Sequence, residues 1–483
     1  MFSDLKRSWE KDWLNVLLTA CWVLTVFFSF FGDVLVSVQV RPFGEVFPFR
    51  VFLGLTALLY VIRVFTGGDC FWHDTTPLEW WVYGCIVILL VYGAVSLPRA
   101  LEVSWTFKQL FNLVLDLMFF FLGLRLCRRR SVLKISVWTS AAAAAILSVA
   151  GVYEIFNGGI FSDKWDKIRI FDFLMGTYQS PAVSFVNAND YCVSLAFLAG
   201  IYLLLWYGRG MQDRARLWWV PTVSLPVVYF LSMAASSRLV LLSCYILLAA
   251  LILVALVQRR KLVRVPVVIL ALMLVFNFCQ QYRNIVPPVV EYAQAMHEYR
   301  LSNDPTAEKP KFHWGSGENH SPSEFFTVDE GGNKVLRSDN SSGVRVRLLL
   351  HAVGCFKESH GMGVGLGNTE ILARQLQVAR TWSIHCFIAR LIGDFGIFVL
   401  IPMCAIGFLL AKYGVSLLRR GLRERDTDRI GEAILFLAVL LTYPLLSTVP
   451  SDAQDLIAMW LYLAIVMLLG DGIRAKLMPG RSL

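Results

Sequence analysis

Apolar runs of about 20 residues recur from one end of this chain to the other, and they leave it few folds to choose from. A helix of that length crosses the ~30 Å hydrocarbon core of a bilayer while satisfying its own backbone hydrogen bonds. A β-barrel would instead read as short segments of alternating polarity. Only 17% of the residues are charged and 57% are hydrophobic, against about 25% charged in a soluble domain. The expectation is an all-α polytopic membrane protein with about 12 transmembrane helices.

The spans are expected near Trp13–Phe31, Phe47–Phe65, Trp80–Ser96, Phe111–Leu126, Val132–Val152, Val183–Trp206, Leu217–Met233, Leu239–Val257, Val265–Cys279, Ile384–Ala411, Ile430–Leu446 and Leu456–Asp471. Pro221 and Pro226 blur the bounds of the seventh. The first is too long, and too poor in small residues at its end, to read as a secretory signal.

One polar stretch, Gln280 to Trp382, interrupts the series. The chain thus divides into nine spans over 1–279, a large hydrophilic loop over 280–383, and three spans over 384–483. Of its seven histidines, five (His297, His313, His320, His351 and His360) lie in that loop.

The net charge of +10 is a statement about topology. Its clusters, Arg125/Arg128/Arg129/Arg130/Lys134, Arg209/Arg214/Arg216, Arg259/Arg260/Lys261/Arg264 and Lys412/Arg419/Arg420, fall in short loops separated by even numbers of spans. Lys and Arg mark the cytoplasmic side. Both termini are therefore expected in the cytoplasm, with the loop 280–383 outside, and no nucleic-acid partner is expected. The ten cysteines sit mostly inside spans, without the spacing of a disulfide framework or a zinc site. Neither a metal nor a cofactor is expected.

Within the loop, Gln281–Arg300 reads as helical and Ser302–Ser342, rich in Asn, Ser, Gly and Pro, as irregular cover. Val344–Ser359 returns to helical period, with Arg345, Arg347 and His351 on it. Arginine forks hold phosphate oxygens bidentately, so these arginines suit a diphosphate, although solvated arginines on an interfacial helix fit the spacing as well. The glycines that follow, Gly361, Gly363, Gly365 and Gly367, alternate strictly. This is not the dinucleotide fingerprint, and it reads as a turn where backbone approaches a neighbour closely. His385 opens the tenth span, followed by Arg390 and Asp394. A histidine has the pKa for general-base work, and an interfacial histidine is the plainer reading of a lone one. Arg238, in the turn Ser236-Ser237-Arg238, lies at an outer span end. There it escapes the ~2.5–3.5 kcal/mol that an arginine costs at mid-bilayer. Asp116, inside span four, is expected to face a partner or a cavity.

Together these residues resemble the O-antigen polymerase/O-antigen ligase family of bacterial polysaccharide assembly. The likeness rests on the arginine-led helix at Arg345/Arg347, the turn Gly363-Val364-Gly365, and His385 eleven residues before the glycine of Asp394-Phe395-Gly396. Upstream, Phe185-Val186-Asn187-Ala188-Asn189-Asp190 resembles the family's asparagine-containing span entry, and Ser237-Arg238 its Ser-Arg turn. Two positions depart from the pattern: Cys386 stands where the family has Asn, and His351 where it has Trp.

The resemblance implies a metal-independent glycosyltransferase of the membrane-embedded GT-C type, in the cytoplasmic (inner) membrane. Its donor is an undecaprenyl-diphosphate-linked glycan, used on the outer face. It implies catalytic roles for His385, Arg238 and one of Arg345 and Arg347, and substrate contacts for Asn187, Asn189, His351, Gly363 and Gly365. The acceptor is either another lipid-linked repeat unit, for a polymerase of O-antigen, capsule or exopolysaccharide, or a lipid core, for a ligase. Other polysaccharide-assembly proteins are possible partners by the same likeness. The competing class, a lipid-linked-sugar transporter, predicts internal repeats and broken helices at mid-membrane.

Overall fold

In the computed structural model, residues 2–31, 38–40, 44–66, 75–157, 188–208, 217–235, 237–258, 262–278, 326–328, 334–336, 341–378, 386–448 and 457–477 are described. The helices are α1 (Phe2–Phe28), α2 (Pro48–Phe65), α3 (Pro77–Ser96), α4 (Val103–Leu126), α5 (Arg130–Asn157), α6 (Ala188–Tyr207), α7 (Trp219–Ala234) and α8 (Arg238–Val257). After α9 (Arg264–Phe278) come α10 (Ser341–Glu358), α11 (Asn368–Gln375), α12 (Phe387–Phe395), α13 (Ile397–Glu424), α14 (Thr427–Leu446) and α15 (Ile457–Leu477). Two short antiparallel hairpins, Val38–Val40 with Gly44–Val46 and Phe326–Val328 with Lys334–Leu336, are the strands among the described residues.

Eight of these helices are long and apolar enough to cross a membrane, and Trp13–Phe28, Trp219–Ala234, Arg264–Phe278 and Ile457–Ile473 are shorter apolar helices. The protein is a multi-pass helical membrane protein. Helix α6 is buried almost all round from Asp190 to Tyr207 and packs on α7, α14 and α15, as a helix apolar on every face must. Helices α2 and α13, in contrast, leave most of their side chains outside the bundle, with exposed apolar residues such as Leu58, Ile401 and Phe408. Glycines permit close crossings: a Cβ at Gly431 would meet the Tyr207 hydroxyl at 1.9 Å, and one at Gly151 the Tyr191 hydroxyl at 2.2 Å.

Polar contacts sort the bundle into two ends. At one, Arg129 donates to Asn15 (3.1 Å) and Arg128 pairs with Glu79 (2.9 Å). Thr76 donates to Asp471 (2.7 Å), and Gln258 to Asp428 (2.8 Å). The start of α1, the start of α3, the α4–α5 corner and the end of α15 thus share one end, and the end of α8 meets the start of α14. At the other end sit the α3–α4 corner and the segment from α10 to the start of α13.

The tenth span differs from expectation. Ile384–Ala411 is not one helix: α12 stops at Phe395, Gly396 takes φ +60°, and a new helix starts at Ile397. The break exists because the backbone of Gly361–Gly363 fills the space. A Cβ on Gly396 would lie 2.1 Å from the Gly361 carbonyl oxygen.

Candidate functional site

The loop helix predicted over Val344–Ser359 is α10, observed over Ser341–Glu358. It ends where the chain turns through His360 and Gly361, both at positive φ. The next six residues form the glycine turn, and every glycine in it has positive φ, from +77° to +99°, the region L side chains avoid. Gly363 is the tightest. A Cβ there would meet the Asp394 carbonyl oxygen at 2.4 Å and the Gly396 nitrogen at 2.7 Å.

Hydrogen bonds lock this turn on two sides. Towards α12, Val364 N–H donates to Gly393 O (2.9 Å), Gly365 N–H to Asp394 O (3.0 Å), and Ile397 N–H to Gly361 O (2.9 Å). Towards the α3–α4 corner, the Tyr92 hydroxyl donates to Met362 O (2.7 Å), and Leu366 N–H donates to Ser96 Oγ (3.2 Å). The Asn368 side chain accepts from Leu101 N–H (3.1 Å) and donates to Val364 O (2.7 Å). The expected close-approach turn is present, and its tightest approach is to the backbone of Asp394–Gly396. Gly363 and Gly365, expected as substrate contacts by resemblance, carry this docking.

Helix α11 was not expected from the sequence. Its signal was there to read, since Gly367-Asn368-Thr369-Glu370 has the polar, acidic first turn of a helix start. Its N-terminus is met by the Asp394 carboxylate, which accepts from Gly367 N–H (3.0 Å), Thr369 N–H (3.2 Å) and the Thr369 hydroxyl (2.6 Å). An anion there answers both the unpaired amides and the helix dipole. Arg390, one turn before Asp394, lies between two carboxylates: its Nη2 is 3.3 Å from Glu370 Oε2 and its Nε 3.8 Å from Asp394 Oδ2. Arg390, Glu370 and Asp394 are each at most 1% exposed. Burial pushes the Asp394 carboxyl above the ordinary carboxylate range, against the pull of Arg390, the Thr369 hydroxyl and the two amides.

From α10, His351 Nε2 lies 3.0 Å from Thr369 O. A carbonyl only accepts, so this nitrogen carries the proton. Cys355, one turn on, is buried, and desolvation raises its thiol to about 11, which makes it a poor nucleophile. Helices α10 and α12 run side by side in the same direction. Ala352 packs with Ala389, with Cys386 against the pair, and nine residues on, just past the end of α10, the Gly361 carbonyl meets Ile397. Arg347, half-buried, stands five residues before Ala352 on α10, about 7.5 Å along the axis.

The other expected residues fall as follows. Arg238 is exposed at the first position of α8, a helix packed on α6, α7 and α14. Asn189 is half-buried in the first turn of α6. Arg345 lies within α10, but its side chain is outside the described residues, as are His385 and Asn187 altogether. Asp116 is buried in the bundle. The structure therefore brings His351, Gly363 and Gly365 into one assembly with α12, while Arg238 opens a helix packed elsewhere. No group of three or more His, Cys, Asp or Glu able to hold a metal occurs among the described residues.

No known family model matches this chain, and no curated protein matches it.

Proposed function

We propose that this protein is a polysaccharide polymerase of the cytoplasmic membrane. It transfers a glycan from undecaprenyl diphosphate to an acceptor sugar hydroxyl on another lipid-linked repeat unit, on the outer face. In this reading Arg347 or Arg345, with Arg238, neutralises the departing lipid diphosphate. Positioned cations of this kind are often the largest catalytic contribution. His385 orients or deprotonates the acceptor hydroxyl, a role typically contributing ~10²–10⁴-fold in rate. The acyl-chain-like prenyl tail needs only the lipid-facing helices for company.

One observation carries the reading: α10 and α12 are clamped in parallel, with Ala352 packed on Ala389 and Cys386, the residue after His385, against that pair. An arginine-led helix beside the helix that follows a histidine is what a diphosphate clamp paired with a base requires. Register favours Arg347, which is nearer than Arg345 to Ala352 along α10. The two-ended sorting of polar contacts supports the sidedness, since the α10–α12 assembly lies at the end opposite Arg128 and Arg129.

The test is transfer by the purified protein in liposomes containing an undecaprenyl-diphosphate-linked repeat unit. His385→Ala and Arg347→Ala should each lower transfer by about 100-fold or more. Unchanged polymer length and amount in both variants, at normal protein levels, refutes the assignment. In a deletion strain, accumulation of single lipid-linked repeats marks a polymerase, whereas finished chains left on the lipid carrier mark a ligase.

A further inference from the structure

Five side chains in a line, His351, Thr369, Asp394, Arg390 and Glu370, connect the arginine helix to the helix after His385. His351 on α10 donates to the Thr369 carbonyl. The Thr369 hydroxyl donates to Asp394 on α12 at 2.6 Å, Arg390 stands between Asp394 and Glu370, and Glu370 returns to α11. Thr369 is the junction, being fully buried and seated on α12 where a glycine leaves room. A Cβ at Gly393 would lie 2.8 Å from Thr369 Oγ1 and 2.9 Å from its Cγ2.

We infer that Thr369 and Asp394 are positioning residues that set the register of α10 against α12, and so hold Arg347 at its working level, five residues before the point where α10 meets the start of α12. The inference rests on the proposed transfer reaction for its catalytic part only. Several features argue for a built device. Burying two carboxylates and a guanidinium is expensive unless geometry and hydrogen bonds compensate. Here each Asp394 oxygen accepts from α11, so the charged group is spent on joining three helices. The link to α10 runs through a backbone carbonyl of the same residue whose hydroxyl engages α12. A shift of Thr369 is therefore passed to both helices at once. Neither His351 nor Thr369 takes part in the glycine turn's contacts with Tyr92 and Ser96, so the two attachments can be perturbed separately.

The discriminating pair is Thr369→Val, which keeps the shape and removes the hydroxyl, and Thr369→Ser, which keeps the hydroxyl. Amide hydrogen exchange of the full-length protein in detergent gives a readout independent of activity. In Thr369→Val the Gly367 amide, bonded to Asp394, should exchange about tenfold faster, as expected for the loss of one hydrogen bond to a charged group. In liposomes the turnover per folded molecule should fall about 10- to 100-fold, the scale of an ångström-level misplacement, with a smaller change in donor KM. Thr369→Ser should behave as wild type in both. Unchanged exchange in Thr369→Val overturns the clamp. Faster exchange with unchanged turnover overturns its positioning role, as does loss of turnover that Thr369→Ser fails to rescue. A wild-type protein with no glycan transfer defeats the proposed function instead, and the exchange comparison then decides the clamp alone.

Discussion

Gly363→Ala should be far more damaging than Gly361→Ala, although the two glycines have nearly the same backbone conformation. Their φ values are +84° and +82°, so each alanine incurs a torsional cost of about 1–2 kcal/mol for the left-handed region. Space separates them. At Gly361 the nearest atoms to a new Cβ are Phe356 Cζ at 3.5 Å and Ile397 Cγ2 at 3.6 Å, ordinary contact distances. At Gly363 they are Asp394 O at 2.4 Å and Gly396 N at 2.7 Å, which are backbone atoms of a helix break and have no rotamer to escape into. The turn must lift away. It then loses the Val364–Gly393 and Gly365–Asp394 hydrogen bonds and strains that of Tyr92 with Met362, at about 1 kcal/mol each. The sum is about 3–5 kcal/mol for Gly363→Ala against about 1–2 kcal/mol for Gly361→Ala. Denaturant unfolding in a mild detergent measures the difference, and hydrogen exchange over 361–369 locates it. Equal losses in the two variants would refute the claim that close approach to α12 is what demands glycine at 363.

Arg390→Met leaves Glu370 and Asp394 buried without their cation. It should cost about 3–5 kcal/mol, and Glu370→Gln added to it should recover part of that loss in a double-mutant cycle. Gly354 lies inside α10 with open space around its Cβ position, so Gly354→Ala should stabilise the protein by about 0.5–1 kcal/mol, the helix-propensity difference. The Asp394 carboxyl sits above its ordinary range in the folded protein, so the folded state holds that proton to higher pH than the unfolded chain. Its ionisation should therefore weaken folding as pH rises from the ordinary carboxylate range through the raised value. The melting temperature should fall over that window, and Asp394→Asn should flatten the fall.

Much of the architecture was legible because the bilayer imposes it. Runs such as Arg238–Val257 and Thr427–Leu446 admit one solution, a helix, and the period of Val344–Ser359 was enough to find α10. The alternating glycines announced a close approach without naming the partner. The site was harder to read. Arg390 and Asp394 stood in the sequence as charges at the mouth of a span, and the hundreds of residues separating Tyr92 and Ser96 from the turn they hold gave no local trace.

The amino-acid sequence by itself determined the helical, membrane-crossing class, the spacing of the basic clusters and the need for glycine between His360 and Asn368, because hydrophobic length, charge and φ are local properties. Only the tertiary structure decided that the tenth span breaks at Gly396, that α11 exists with Asp394 at its N-terminus, and that α10 lies parallel to α12. These depend on which backbone fills which space. Asp394 acquires its role only when Thr369 and Gly367, 25 and 27 residues away along the chain, are folded against it.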